Sequence, residues 1–302
     1  MKTVFFGSGP VAAKSLELLS KHCDIEAVIT KPRPAHHKGS VPVLETCISL
    51  GFEHVFTVSN KAELSALFNE HKFESRLGIV IDFGIIIAQD VIDSFELGIV
   101  NSHFSLLPEW RGADPITFSI LSGQTRTGIS LMLINDKMDE GDLLAQADYD
   151  LPAGITTPEL TDDLIDLSDQ ALQTILPLYE RDETKPAPQL DVSIADSKTP
   201  TYSRKLSKDD SVLDFTKTAA ELEREVRAFI EWPRSRAKIG TADVVITKAH
   251  VADLNGTPGT LLIDGKQLGI RAAEGTLMID RLIPAGKKEM DAASFLAGHK
   301  LG

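Results

Sequence analysis

The sequence predicts an α/β protein: a doubly wound, mostly parallel sheet followed by a small all-β domain shaped as a barrel or sandwich. Three observations predict it. Over the first 150 residues, short apolar runs alternate with helix-like segments, the pattern of a sheet covered on both faces. A polar, Pro-containing stretch at 183–201 then interrupts that pattern and reads as a linker. Beyond Ala237, short β-branched or apolar runs are spaced by Asn255-Gly256, Asp264-Gly265 and Glu274-Gly275, dipeptides that signal hairpins.

Taken in order, Thr3–Phe6 is a short apolar strand ending at Gly7, too short for the apolar core of a secretory signal. A Gly-rich turn and a helix over Val11–His22 follow. Further strands are expected at Glu26–Thr30, His54–Thr57, Gly78–Asp82, Gly98–His103 and Gly128–Ile134. Helices are expected between them at Val41–Leu50, Lys61–His71, Gln89–Ser94 and Ile116–Ser122. Thr161–Glu180 reads as the longest helix, because Leu164, Leu167, Leu172, Ile175 and Leu176 recur at helical spacing. Past the linker, Ala219–Ile230 is one amphipathic helix, stopped by Trp232-Pro233. The expected organisation is a first domain at 1–182, the linker at 183–201 and a second domain at 202–302.

Composition narrows the function. The 302 residues carry a net charge of −13, which by itself argues against a polyanionic partner. The charge is unevenly spread: residues 1–200 hold 15 Lys and Arg against 30 Asp and Glu, whereas residues 201–302 hold 16 against 14. The C-terminal third is electrically distinct, as a polyanion-facing module can be. Cys23 and Cys47 form no CxxC pair and stand beside no histidines at ligand spacing; they read as small buried thiols in a reducing cytosol. No HExxH helix occurs and no metal is expected. No run approaches the roughly 18–20 apolar residues of a membrane span.

Three motifs carry candidate chemistry. Gly7-Ser8-Gly9-Pro10-Val11-Ala12 fits the GxGxxA form of a dinucleotide-binding turn. The next strand, however, ends in Thr30 and Lys31 instead of the acid that would hold a ribose, so NAD is not expected, although the turn's amides could hold another substrate group. The second motif is Val100-Asn101-Ser102-His103-Phe104-Ser105-Leu106-Leu107-Pro108-Glu109-Trp110-Arg111-Gly112. On a strand, Asn101 and His103 project to one face, near the strand end where open α/β sheets bind ligands. A carboxamide can donate to an oxyanion and an imidazole can move a proton near neutral pH; a buried pair satisfying loop backbone is the alternative. The third motif, Met138-Asp139-Glu140-Gly141-Asp142, would supply a carboxylate from a neighbouring strand end to orient His103, or is an ordinary acidic turn.

Together these residues resemble the 10-formyltetrahydrofolate-dependent formyltransferases: N-x-H-x-S-L-L-P, then W-R-G, then D-x-G. Further similar segments are Arg33-Pro34-Ala35, Phe83-Gly84-Ile85-Ile86, Gly112-Ala113-Asp114-Pro115-Ile116, Tyr202-Ser203-Arg204-Lys205-Leu206 and Arg227-Ala228-Phe229 with Trp232-Pro233. The resemblance implies a Rossmann-like catalytic domain and an OB-like C-terminal barrel, with 10-formyltetrahydrofolate as co-substrate and neither metal nor NAD. It implies catalytic roles for Asn101, His103 and Asp139. It implies a folate site at Ser105, Leu106, Leu107 and Pro108, with Phe83, Gly84, Ile85, Ile86, Ile87, Asn135 and Met138 around the pterin. Its C-terminal part is similar to that of members acting on initiator methionyl-tRNA, which implies acceptor contacts at Arg33, His36, His37, Lys38, Arg111, Lys205, Arg234 and Arg236. A cytoplasmic monomer that needs no membrane is implied as well.

The alternatives within the family are an amino-sugar nucleotide acceptor, a glycinamide ribonucleotide acceptor, or water. Outside it, a nicotinamide oxidoreductase would explain the first motif alone, and a non-catalytic binding protein would explain none of Asn101, His103 and Asp139. The chain departs from the tRNA-directed members in a short loop after Arg33-Pro34-Ala35, in Asp114 where Ala is frequent, and in Glu231 before Trp232-Pro233. Lys205, Lys208, Arg234, Arg236 and Lys238 on one face of the second domain would favour tRNA.

Overall fold

Alternating apolar runs and helices become a seven-stranded sheet in the computed structural model of the chain, which describes residues 1–34 and 39–299. In chain order the first elements are β1 (Lys2–Phe6), α1 (Pro10–Leu19), β2 (Asp24–Thr30), α2 (Pro42–Leu50), β3 (Val55–Thr57), α3 (Lys61–Glu70), β4 (Leu77–Val80), α4 (Gln89–Ile92) and β5 (Ile99–His103). They continue with β6 (Arg111–Gly112), α5 (Pro115–Ser122), β7 (Arg126–Leu133), β8 (Leu143–Asp150), α6 (Thr157–Glu180), α7 (Gln189–Val192) and β9 (Tyr202–Ser203). The local rules are visible at the helix starts. Proline occupies the first turn of α1, α2 and α5, where its missing N–H costs nothing. The Asn60 side chain caps α3 by accepting from Glu63 N.

The sheet order is β3-β2-β1-β4-β5-β7-β8. Strands β1 to β5 pair in parallel, while β7 is antiparallel to β5 and β8 to β7. From β1 the chain builds outward to β2 and β3, then crosses back to β4 and β5. The strand order therefore reverses between β1 and β4, and ligands of open α/β sheets bind outside such points. Phe6 anchors the core below: it is fully buried, with ring centroids 6.0, 5.7 and 6.1 Å from Phe68, Phe83 and Phe95.

The first unit differs from the sequence reading at β8 and at 183–201. Strand β8 was not expected, because only Leu143 and Leu144 at its start are buried; its remainder is the polar outer edge of the sheet and shows no apolar run. The stretch read as a linker carries structure of its own. Leu143 and Ala187 exchange backbone hydrogen bonds of 2.8 and 2.9 Å, α7 follows, and Gln189, Ser193 and Ala195 are buried. The chain divides into a first unit of residues 1–112, 126–150 and 161–202 and a second of 113–125, 151–160 and 203–302.

The second unit contains α8 (Ala219–Ala228), then β10 (Ser235–Ile239), β11 (Ala242–Ala252), β12 (Leu261–Asp264), β13 (Gln267–Arg271), β14 (Thr276–Pro284), β15 (Met290–Asp291) and α9 (Ala292–Gly298). These strands form a six-stranded antiparallel sheet of order β10-β11-β14-β13-β12, with β15 on β14, consistent with a small barrel-like domain. Register shifts around Lys248 bend β11. The core under the sheet joins Leu222 and Val226 of α8, Phe295 of α9, and Ile246, Leu277 and Leu282. Helix α8 opens with a capping box between Thr218 and Glu221.

Of the three expected hairpins, two form. Asp264 faces Gln267 across Gly265, and Arg271 faces Thr276 across the turn holding Gly275. Asn255-Gly256 is not a hairpin, because β11 and β12 do not pair; the Asn255 side chain instead accepts from Gly275 N at 2.8 Å. A tighter hairpin was overlooked at Gly240-Thr241, where Ile239 pairs with Ala242 and Gly240 has φ 59°. Among the described residues, no helix is long and apolar enough to cross a membrane.

Phe6→Ala should lower stability by about 3–5 kcal/mol, read as an earlier urea midpoint. Burial pushes the Cys23 and Cys47 thiols up to about 11. Iodoacetamide at pH 8 should therefore alkylate the folded protein far more slowly than the same protein in denaturant, since only about a thousandth of each thiol is ionised there.

Candidate active site

The site begins with the pleat of β5. Ser102 turns toward α6, its hydroxyl 2.6 Å from that of Ser168, so its neighbours Asn101 and His103 project to the opposite face. Both stand at the C-terminal end of the strand, across from Met132 and Ser130 of β7. His103 is almost fully buried and Asn101 half-buried.

The imidazole is hydrogen-bonded at one nitrogen and faces a carboxylate with the other. Nε2 lies 2.9 Å from the Trp110 carbonyl. A carbonyl only accepts, so Nε2 carries a proton. Nδ1 faces Asp139 Oδ1 at 3.9 Å. The other Asp139 oxygen accepts from Gly112 N at 2.7 Å. The carboxylate is thereby fixed by one oxygen while the other is presented to the imidazole. A proton on Nδ1 would give the ring a cationic state in which both nitrogens face acceptors, a group suited to neutralising an oxyanion.

The segment carrying Asp139 is a tight backbone turn. Asp139 is left-handed, with φ 53°, and a Cβ on Gly141 would fall 1.6 Å from Leu133 O, so only glycine fits there. Leu133 N donates to Asp142 O at 2.9 Å, closing the turn. The segment from Phe104 to Arg111 is fastened from inside by Ser130. That hydroxyl donates to Ser105 O at 2.6 Å and accepts from Leu107 N at 2.9 Å and from Gln146 Nε2 at 2.7 Å.

The residues expected to hold folate divide by exposure. Ser105, Leu106, Leu107 and Pro108 are buried, as is Phe83. Leu107 packs with Met132 and Leu143, and the Ser105 hydroxyl donates to Glu109 O. Gly84, Ile86, Asn135 and Met138 are exposed, whereas Ile85 and Ile87 are half-buried. Asn135 Oδ1 accepts from Lys137 N at 2.9 Å.

The residues expected to meet the acceptor also divide. Arg111 is 7% exposed, with Nη1 3.1 Å from Glu140 Oε1 and Nη2 donating to Gln189 Oε1 at 2.8 Å. Its guanidinium thus joins Glu140 to Gln189 within the loop. Arg33 is exposed and donates to Gly39 O at 3.0 Å. His36, His37 and Lys38 lie outside the described residues. In the second unit, Lys205, Arg234 and Arg236 are exposed. Arg236 and Lys238 alternate on β10 with the inward Ser235 and Ile239, hence share its outer face. Leu213 N donates to Arg236 O at 3.0 Å, which brings the segment after Lys208–Ser211 alongside that strand.

The sequence reading missed Ser130, Gln146 and Gln189. Ser130 lies inside an otherwise apolar strand, where a buried hydroxyl needs a partner; that was its one available signal. Gln189 sat in a stretch classed by its composition.

Residues 1–176 match the family described as Formyl transferase, and residues 205–300 match Formyl transferase, C-terminal domain. A curated relative, the methionyl-tRNA formyltransferase of Myxococcus xanthus (strain DK1622), is 34% identical over 306 residues, spanning 99% of this chain and 96% of its own length. Among solved structures, the N-formyltransferase from Helicobacter canadensis, in complex with folinic acid and dTDP-3-aminofucose, superposes with a TM-score of 0.68 at 16% identity, covering 96% of this chain and 100% of its own. HypX from Aquifex aeolicus, in complex with tetrahydrofolic acid, superposes at 0.62 with 17% identity over 98% of this chain and 47% of that one.

Ser130→Ala leaves Leu107 N–H and Ser105 C=O without their partner. It should cost about 1–3 kcal/mol, measured as a shift in the urea midpoint against wild type.

Proposed function

The chain belongs to the formyl transferase family, and from that premise we propose that it transfers the formyl group of 10-formyltetrahydrofolate to the amino group of methionine on initiator methionyl-tRNA. The observation that carries the reading is the pairing of His103 with an Asp139 whose second oxygen is already fixed by Gly112 N. The acceptor rests on similarity to a methionyl-tRNA formyltransferase over 99% of the chain, so that both units are included.

The neutral α-amine of methionine attacks the formyl carbon, and the new C–N bond leaves a tetrahedral centre bearing an oxyanion. Asn101 donates to that oxygen, and the His103 imidazolium, supported by Asp139, balances its charge. The bond from carbon to N10 of the folate then breaks. The proton released by the attacking nitrogen passes to N10, giving formylmethionyl-tRNA and tetrahydrofolate. His103 and Asp139 manage this transfer. Backbone at 105–108, with Phe83, Gly84, Ile85, Ile86, Ile87, Asn135 and Met138, forms the folate site; the exposed residues among them carry the side-chain contacts. Arg33, Lys205, Arg234 and Arg236, with Lys238, meet tRNA phosphates. The enzyme works in the cytoplasm as a monomer.

Transfer of labelled formyl to Met-tRNA should fall by about 10²–10⁴ in kcat for His103→Ala and for Asp139→Asn, with the Kd for folate nearly unchanged. Equal losses in affinity and rate would make His103 a binding residue. An amino-sugar nucleotide offered in parallel should remain unlabelled. Arg236→Ala with Lys238→Ala should weaken tRNA binding and reduce the slope of log K against log salt by about 2, leaving folate affinity intact.

A further inference from the structure

Gln189 is a buried amide with 4% exposure, and each of its polar atoms is used. Its Nε2 donates to two carbonyls of one turn, Asp139 O at 2.8 Å and Gly141 O at 2.9 Å. Its Oε1 accepts from Arg111 Nη2 at 2.8 Å, and Arg111 pairs with Glu140 between those two residues at 3.1 Å. Three consecutive residues, 139 to 141, are thus gripped by one amide and one guanidinium. Arg111 also immediately precedes Gly112, whose N–H holds the Asp139 carboxylate. The backbone carbonyl and the carboxylate of Asp139 are therefore set by one connected set of groups: the Gln189 amide, the Arg111 guanidinium and the backbone N–H of Gly112.

We propose that Gln189 is a positioning residue for formyl transfer, acting through Asp139 on His103. The inference rests on the reading of Asp139 as the working partner of that imidazole. The amide is suited to the task because it alone among uncharged side chains of this length donates two hydrogen bonds and accepts at the same time. An apolar residue here would leave two buried carbonyls unpaired. A glutamate would keep the acceptor toward Arg111 and set a carboxylate against those carbonyls. The left-handed Asp139 would then lose the restraint that holds its carboxylate between Gly112 N and His103.

The test compares Gln189→Met, Gln189→Glu and Asp139→Asn in the full-length enzyme. Steady-state transfer to Met-tRNA would be measured together with the ¹⁵N resonances of the His103 imidazole at one fixed pH. Both Gln189 variants should lower kcat about ten- to a hundredfold, the scale of a small misplacement of catalytic groups, with KM for folate and tRNA within about twofold. Both should also move the His103 resonances in the direction seen for Asp139→Asn. Loss of rate in Asp139→Asn with unchanged kcat and resonances in both Gln189 variants overturns this inference alone. Unchanged rate in Asp139→Asn overturns the role of Asp139 and this inference with it. Recovery of neither Gln189 variant in folded form makes Gln189 a residue of folding, and equal changes in KM and kcat make it one of binding; either result overturns the proposal.

Discussion

Everything at the candidate site depends on how closely the backbone after β7 can double back on itself. Gly141 passes so near Leu133 O that no side chain fits between them, and Asp139 must adopt a left-handed conformation to make the turn. Such a conformation is unfavourable for a residue with a Cβ and persists only when its surroundings hold it. Here they do so from three directions: Gly112 N at the side chain, Gln189 at the carbonyls, and Leu133 N on Asp142 O. The return is short because β7 is antiparallel to β5 and β8 to β7. A parallel strand in that place would need a crossover of a dozen or more residues and would carry the carboxylate away from His103.

The same economy explains which parts were legible in the sequence. Strands β1, β4 and β5 are buried on both faces, so their apolar runs report them directly. The catalytic candidates lie at strand ends, where Asn101 and His103 interrupt such a run and where Asp139 follows one. Edge strand β8 was illegible because an edge buries little. Ser130 and Gln189 were illegible for another reason. A serine or glutamine becomes structural only through its partners, and those of Gln189 lie about fifty residues away at Asp139 and Gly141. Composition classed 183–201 as a solvated connector, yet its glutamine is buried. Arg111, expected from the resemblance to meet the acceptor, pairs within the chain with Glu140 and Gln189, partners that its sequence neighbours do not announce.

Charge in the second unit must likewise be judged by partners and not by count. Asp114 and Glu231 add negative charge relative to the tRNA-directed members that the chain resembles. Asp114, however, accepts from Leu206 N at 3.1 Å and so ties down the segment containing Lys205. Arg204 adds little to any outward field, because its hydrogen bonds to Asp210, assisted by Ser207, hold that carboxyl well below the usual range. Across the hairpin of β10, the exposed Arg236 lies opposite Val245 and the exposed Lys238 opposite Asp243. A modest net charge can therefore coexist with a locally basic strand.

The glycine-rich turn after β1 illustrates how a motif can keep its shape and change its occupant. In a dinucleotide fold the second glycine lets a pyrophosphate approach the helix N-terminus. Here a Cβ on Gly9 would lie 1.8 Å from Asp82 Oδ2, so the space belongs to a carboxylate of the chain itself. Ser8 N donates to Asp82 O at 3.0 Å and the Ser8 hydroxyl to Phe83 O at 2.8 Å. The positive end of α1 thus faces an internal anion, and a diphosphate brought to the same amides would meet like charge. The turn anchors residues 82 and 83, from which Gly84 to Ile87 extend. The glycine signature thus has a structural duty in this fold: it supports the backbone that leads into Gly84 to Ile87.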